Sequence, residues 1–188
     1  MTALTFANQL TLTRMLLIPL FVILVVYGHL GWALVVFMTA GITDGLDGLI
    51  ARRAGQKTSL GAWLDPMADK LLLVTTFIVL TLPNLGLANR LPIWLTVLII
   101  FRDVGIVLTV AIVNLAIGRR TFSPSMLGKV ATATYILTAV AAMLFNFLGY
   151  HSIVFDVFVY ASLAITLASG FHYVWHARRI IDAPGAAL

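Results

Sequence analysis

The chain has 188 residues, 61% apolar and only 10% charged, with no cysteine and a mean hydropathy of +1.05. That balance belongs to the membrane class rather than to water-soluble domains, and the lack of cysteine excludes disulfides, thiolate metal ligands and cysteine nucleophiles. The net charge of +5 does not point to nucleic acid: the basic residues stand in short clusters between apolar runs, where anionic lipid headgroups and phosphorylated substrates fit better.

A membrane-spanning helix needs about 20 mostly apolar residues. Runs of that kind lie at 10–27, 31–50, 60–82, 91–117, 125–148 and 152–175. They are punctuated by Gly28-His-Leu-Gly31, Pro83-Asn84, Gly118 and Gly149. The pattern predicts an all-α polytopic membrane protein with six transmembrane helices in one bundle, a single domain over 1–182 and a disordered tail over 183–188. No cleavable signal peptide is expected, because the N-terminus lacks a basic n-region and a clear small-residue cleavage site.

The basic residues predict orientation. Arg52, Arg53 and Lys57 follow the second run, Arg119, Arg120 and Lys129 lie between or just inside the fourth and fifth, and Arg178 with Arg179 follows the sixth. The connections after the first and fifth runs carry no Lys or Arg, and the one after the third carries only Arg90. By the positive-inside rule both termini are cytoplasmic. Trp32, Trp94 and Trp175 suit an aromatic belt, and Trp63 could wall the mouth of a site. His29, His151, His172 and His176 are scattered at helix ends without a metal-ligand pattern, and isolated Asp156 reads as polar packing near a loop.

Asp44, Asp47, Asp65 and Asp69 are four of only seven acidic residues, and the chain has no Glu. A carboxylate at the centre of a membrane helix costs roughly 2.5–3.5 kcal/mol, and four together repel one another unless a cation neutralises them. Asp44, Asp47, Gly48 and Ala51 are spaced to share one helical face, as are Gly61, Asp65 and Asp69. A short basic connection makes the two helices antiparallel neighbours, so their acidic stripes can face one cavity near the cytoplasmic surface. Oxygen ligands of this kind suit Mg²⁺ or Mn²⁺. Gly48, Ala51 and Gly61 remove bulk, which serves either close ligand approach or helix packing.

The segment D-x2-D-G-x2-A-R-x8-G-x3-D-x3-D, from Asp44 to Asp69, resembles the signature of the CDP-alcohol phosphatidyltransferases at every defined position. The resemblance in hydropathy and helix count covers nearly the whole chain. It implies transfer of a phosphatidyl group from CDP-diacylglycerol to an alcohol, with release of CMP. It further implies that Asp44, Asp47, Asp65 and Asp69 ligate a two-metal centre and that Asp69 is also the proton acceptor. Gly48, Ala51, Arg52, Gly61 and Thr58 would then hold CDP-diacylglycerol. Asn8-Gln-Leu-Thr11-Leu-Thr-Arg14 resembles the family's amphipathic N-terminal interfacial segment; Asn8 and Thr11 then touch the nucleotide and Arg14 a phosphate, or the segment is an ordinary interfacial cap. The family also implies a homodimer, and the expected location is the bacterial inner (cytoplasmic) membrane with both termini and the active site facing the cytoplasm.

The acceptor must reach the metals from the cytoplasm. Arg102, Arg119, Arg120 and Lys129 together could bind an acceptor phosphate, with headgroup contact as the other role of Arg119 and Arg120. Asp103 follows Arg102 directly, and adjacent helical residues do not face each other, so separate partners are expected. Ser-x2-Gly128-Lys129 and Asp65-Pro-Met-Ala-Asp69-Lys70 resemble the branch of the family that uses glycerol 3-phosphate and makes phosphatidylglycerophosphate. Arg102-Asp103-Val104 is more similar to the cardiolipin-forming branch, whose acceptor is phosphatidylglycerol. A small ion transporter with an intramembrane carboxylate relay would explain buried acids, but not the Gly-x2-Ala-Arg and Gly61 spacing.

Overall fold

The computed structural model describes the backbone of residues 6–54, 59–117 and 126–181, and the side chains of 11–43, 67–109, 111, 112, 115 and 126–175. Among these residues there are six α-helices, one short 3-10 turn and no strand: α1 (Phe6–Val26), α2 (Leu30–Ala54), α3 (Ser59–Thr81), the turn Pro83–Leu85, α4 (Ile93–Ile117), α5 (Met126–Phe147) and α6 (Ile153–Ile181). The boundaries follow the apolar runs closely. Three differences stand out: α6 continues past Trp175, α2 continues to Ala54, and α1 already begins at Phe6. The stretch from Asn8 to Arg14 is therefore the opening of α1, not a separate segment.

The turns explain the boundaries. α1 ends where Gly28 takes φ +78°, its N–H donating to the Val25 carbonyl at 3.0 Å while the His29 N–H reaches Leu24 at 2.8 Å. α5 ends in the same way at Gly149, φ +77°, with Gly149 bonded to Asn146 and Tyr150 to Phe145. Both are Schellman turns, in which a left-handed residue lets the chain satisfy the last carbonyls of the helix. A side chain at either position would be strained in that conformation.

The described residues form two compact units, Met1–Arg90 with Ala139–Ser152, and Leu91–Thr138 with Ile153–Leu188. In the first unit α1 packs along both α2 and α3, while α2 and α3 touch each other only sparsely. Its core is a stripe of Phe21, Val25, Phe37, Ala40, Leu72, Phe77 and Leu80, with the Phe21 and Phe37 rings 6.0 Å apart. Thr11 and Arg14 lie in the same buried stripe of α1.

The loop side of this unit is held by one asparagine. Asn89 is fully buried; its N–H donates to Asn146 Oδ1 at 2.8 Å, its carbonyl accepts from Asn146 Nδ2 at 3.1 Å, and its amide meets the Tyr150 carbonyl and the Ser152 N–H. It thus ties the α3–α4 connection to the turn after α5. Asn89→Leu should leave buried backbone groups unsatisfied and cost about 2–4 kcal/mol. The check is thermal unfolding in detergent; an unchanged Tm would show that water replaces the clamp.

In the second unit α4 packs on α6, and α5 joins α6 through a polar seam. Tyr135 Oη and Thr166 Oγ1 lie 2.7 Å apart, and Thr138 Oγ1 lies 2.8 Å from Ser162 Oγ. All four side chains are buried. Hydroxyl side chains of this kind join helices where apolar surroundings offer no hydrophobic drive. The outer faces are the reverse of a water-soluble protein: Leu16, Trp32, Phe101, Leu115, Ile153 and Phe171 are all more than two-thirds exposed. Among the described residues, Met126–Phe147 and Ile153–Trp175 are long and apolar enough to cross a membrane.

Candidate active site

The site builds on the backbones of α2 and α3. α2 runs unbroken through Asp44, Asp47, Gly48 and Ala51, and α3 through Gly61, Asp65 and Asp69. At 3.6 residues per turn each set falls within an arc of about 100°, so each helix carries its acids on one face. The side chains of Asn8, Asp44, Asp47, Gly48, Ala51, Arg52, Gly61 and Asp65 lie outside the described residues, as do Thr58, Arg119 and Arg120 altogether.

Asp69 is described, and its partner was not foreseen. Arg14 Nη1 donates to Asp69 Oδ1 at 2.5 Å, joining α1 to α3. The two ends of this pair differ sharply: the Arg14 side chain is 1% exposed and that of Asp69 42%. Arg14 and Thr11 are buried, so neither is an interfacial cap residue. The sequence did hold a signal, since a cation inside an apolar helical stripe requires a counter-charge nearby. It did not say which of the acids would supply it.

These observations fit a divalent metal. Carboxylate oxygens are the hard donors that Mg²⁺ and Mn²⁺ prefer. Asp69, the one of the four site aspartates whose side chain is described, already holds a cation on one oxygen while 42% exposed. Among the described residues no three potential ligands converge, since only one of the four aspartates is included there.

Arg102 has the separate partner expected of it, Ser169, but departs from expectation in one respect. It does bond its neighbour: Nη1 donates to Asp103 Oδ1 at 2.8 Å, and Nε donates to Ser169 Oγ at 3.1 Å. The long Arg stem lets the guanidinium fold back where the backbone spacing alone would keep short side chains apart. Ser169 in turn donates to the Thr166 carbonyl at 3.0 Å. Arg102 Nη2 is buried without a hydrogen-bond partner among the described residues. Arg102 lines a cavity of about 290 Å³ between α4 and α6, beside Gly105, Ile106, Thr166, Gly170 and Phe171. Lys129 does not line it; it stands exposed in the first turn of α5. Of the four cations assigned to an acceptor phosphate, only these two are described, and they occupy different surroundings.

Comparison with known proteins adds a family. Residues 4–168 match the CDP-alcohol phosphatidyltransferase family. The chain is 34% identical over 183 residues to the probable phosphatidylglycerophosphate synthase of Mycobacterium tuberculosis, covering 93% of this chain and 82% of that protein. It is 33% identical over 197 residues to a cardiolipin synthase (CMP-forming) of Streptomyces coelicolor, covering 98% and 87%. It is 31% identical over 185 residues to the CDP-diacylglycerol--glycerol-3-phosphate 3-phosphatidyltransferase of Bacillus subtilis, covering 88% and 91%.

Proposed function

The chain belongs to the CDP-alcohol phosphatidyltransferase family, and from that premise we propose that it transfers a phosphatidyl group from CDP-diacylglycerol to glycerol 3-phosphate, giving phosphatidylglycerophosphate and CMP. The observation that carries this reading is the unbroken D-x2-D-G-x2-A-R-x8-G-x3-D-x3-D register on two helices that both pack against α1. The acceptor is supported by the names of the Mycobacterium and Bacillus relatives.

Asp44, Asp47, Asp65 and Asp69 would hold two Mg²⁺ or Mn²⁺ ions, which when bound neutralise the diphosphate and the charge that builds on departing CMP. Asp69 accepts the proton of the attacking hydroxyl. The acceptor oxygen forms a bond to the phosphatidyl phosphorus, and the bond from that phosphorus to the CMP oxygen breaks. Arg52 offers its guanidinium fork to diphosphate oxygens. Gly48, Ala51 and Gly61 let the nucleotide approach the helices closely, and Asn8, Thr11 and Thr58 add polar contacts. Arg102, Arg119, Arg120 and Lys129 receive the acceptor phosphate.

The same proposal includes six spans within one membrane domain over 1–182, a homodimer, and a bacterial inner-membrane location with both termini and the active site facing the cytoplasm. A second reading, phosphatidylglycerol as acceptor, is favoured by Arg102-Asp103 and by the Streptomyces relative.

One experiment tests both acceptor and orientation. Sealed inverted vesicles holding the protein and CDP-diacylglycerol should convert added glycerol 3-phosphate and release CMP, and sealed right-side-out vesicles should not until permeabilised. Cardiolipin formed from phosphatidylglycerol, with glycerol 3-phosphate untouched, would hand the function to the second reading. CMP formed without any acceptor product would remove both.

A further inference from the structure

The asymmetry of the Arg14–Asp69 pair says more than that two helices are joined. A guanidinium stays charged under any condition a protein meets, and one inside an apolar helix bundle needs a counter-charge. Here the cation is sealed in and the carboxylate is open, 1% against 42% exposed, with Nη1 and Oδ1 2.5 Å apart. Asp69 can therefore gain a second cation on its open side while Arg14 stays where it is. Arg14 is also fixed from its own side: it lies in the stripe with Thr11, Phe21 and Val25 that α1 buries.

Resting on the metal-site reading above, we propose that Arg14 is the resident counter-ion of the aspartate site. It neutralises Asp69 while no divalent ion is bound and opposes the incoming ion through its own positive charge, so it keeps metal binding weak and reversible. Without it, the carboxylates that α2 and α3 bring to one metal site would repel one another in the metal-free protein. With it, that protein is held together, and the ion gains less than its full attraction to the acids. Arg14 is in this sense a positioning residue for Asp69 and a determinant of metal affinity, with no contact to substrate assigned to it.

The test is Mn²⁺ binding by electron paramagnetic resonance and thermal unfolding with and without Mn²⁺, on wild type, Arg14→Gln, Arg14→Lys and Asp69→Asn. Arg14→Gln should bind Mn²⁺ at least fivefold more tightly, unfold several degrees earlier in metal-free buffer, and return to the wild-type Tm in saturating Mn²⁺. Arg14→Lys keeps the charge and should keep Kd within twofold of wild type. An unchanged or weaker Kd in Arg14→Gln, or a Tm that Mn²⁺ does not restore, makes Arg14 a plain structural tie and overturns the proposal. If Arg14→Gln does not fold in metal-free buffer, its recovery on folding with Mn²⁺ supports the proposal and its failure there refutes it; a fivefold change in Arg14→Lys refutes it independently. Asp69→Asn separates the premise from the inference: a wild-type Kd in that variant removes Asp69 from the metal site, whatever Arg14 does.

Discussion

Asp69→Asn is expected to lower kcat by about 10²–10⁴-fold, the range that a positioned proton acceptor contributes. The amide keeps the shape of the side chain and can still accept from Arg14 Nη1, but it cannot take the acceptor's proton. It also withdraws a full negative charge from a guanidinium that is 1% exposed. Some stability is therefore lost as well, about 1–3 kcal/mol for a charged hydrogen bond reduced to a neutral one. Turnover must be read on protein shown to be folded by its unfolding transition at the assay temperature. Binding of CDP-diacylglycerol should largely survive, since the contacts assigned to the nucleotide lie on α2, on the connection after it and at the starts of α1 and α3, and do not include the Asp69 carboxylate. A folded variant with near-normal kcat would show that another group takes the proton. Loss of CDP-diacylglycerol binding along with kcat would assign Asp69 to substrate binding instead.

Much of this site is written in local pattern. The runs at 60–82 and 91–117 foretold α3 (Ser59–Thr81) and α4 (Ile93–Ile117) within two residues at each end, because a helix in an apolar medium begins and ends where polar and turn-forming residues do. Gly28 and Gly149 were legible for the same reason: a left-handed turn after a helix is cheapest at glycine. The aspartates could be placed on helical faces because a face depends only on spacing. What could not be read was pairing across the chain. Asp69 meets a residue 55 positions away, and Asn89 is satisfied by Asn146, Tyr150 and Ser152 more than 50 positions on. No periodicity encodes such partners. Arg102 failed for a different reason: spacing describes where side chains start, and a long flexible stem can end elsewhere. The start of α1 failed because Asn8, Thr11 and Arg14 look interfacial by composition, while packing against α2 and α3 draws Thr11 and Arg14 inside.

Arg102→Ala is expected to have two separable effects. The guanidinium sits 2.8 Å from Asp103, whose side chain is 18% exposed, and bonds Ser169 of α6. Removing one member of a largely buried ion pair leaves the other charge poorly compensated and costs about 3–5 kcal/mol. If Arg102 also receives the acceptor phosphate, the lost charge-assisted hydrogen bond is worth about 1.5–3 kcal/mol, which raises KM for glycerol 3-phosphate about 10- to 100-fold. KM for CDP-diacylglycerol should move little. The two effects come apart in the double variant Arg102→Met with Asp103→Leu. Both charges are then gone, and replacing a buried pair with apolar side chains is often neutral or stabilising. Stability should return while the acceptor KM stays high. Lys129→Ala is the complementary control: its side chain is exposed, so it should raise the acceptor KM with little change in Tm. A double variant that regains both stability and a wild-type KM would make Arg102 a structural residue of the α4–α6 contact. The acceptor phosphate would then be left to Lys129, Arg119 and Arg120.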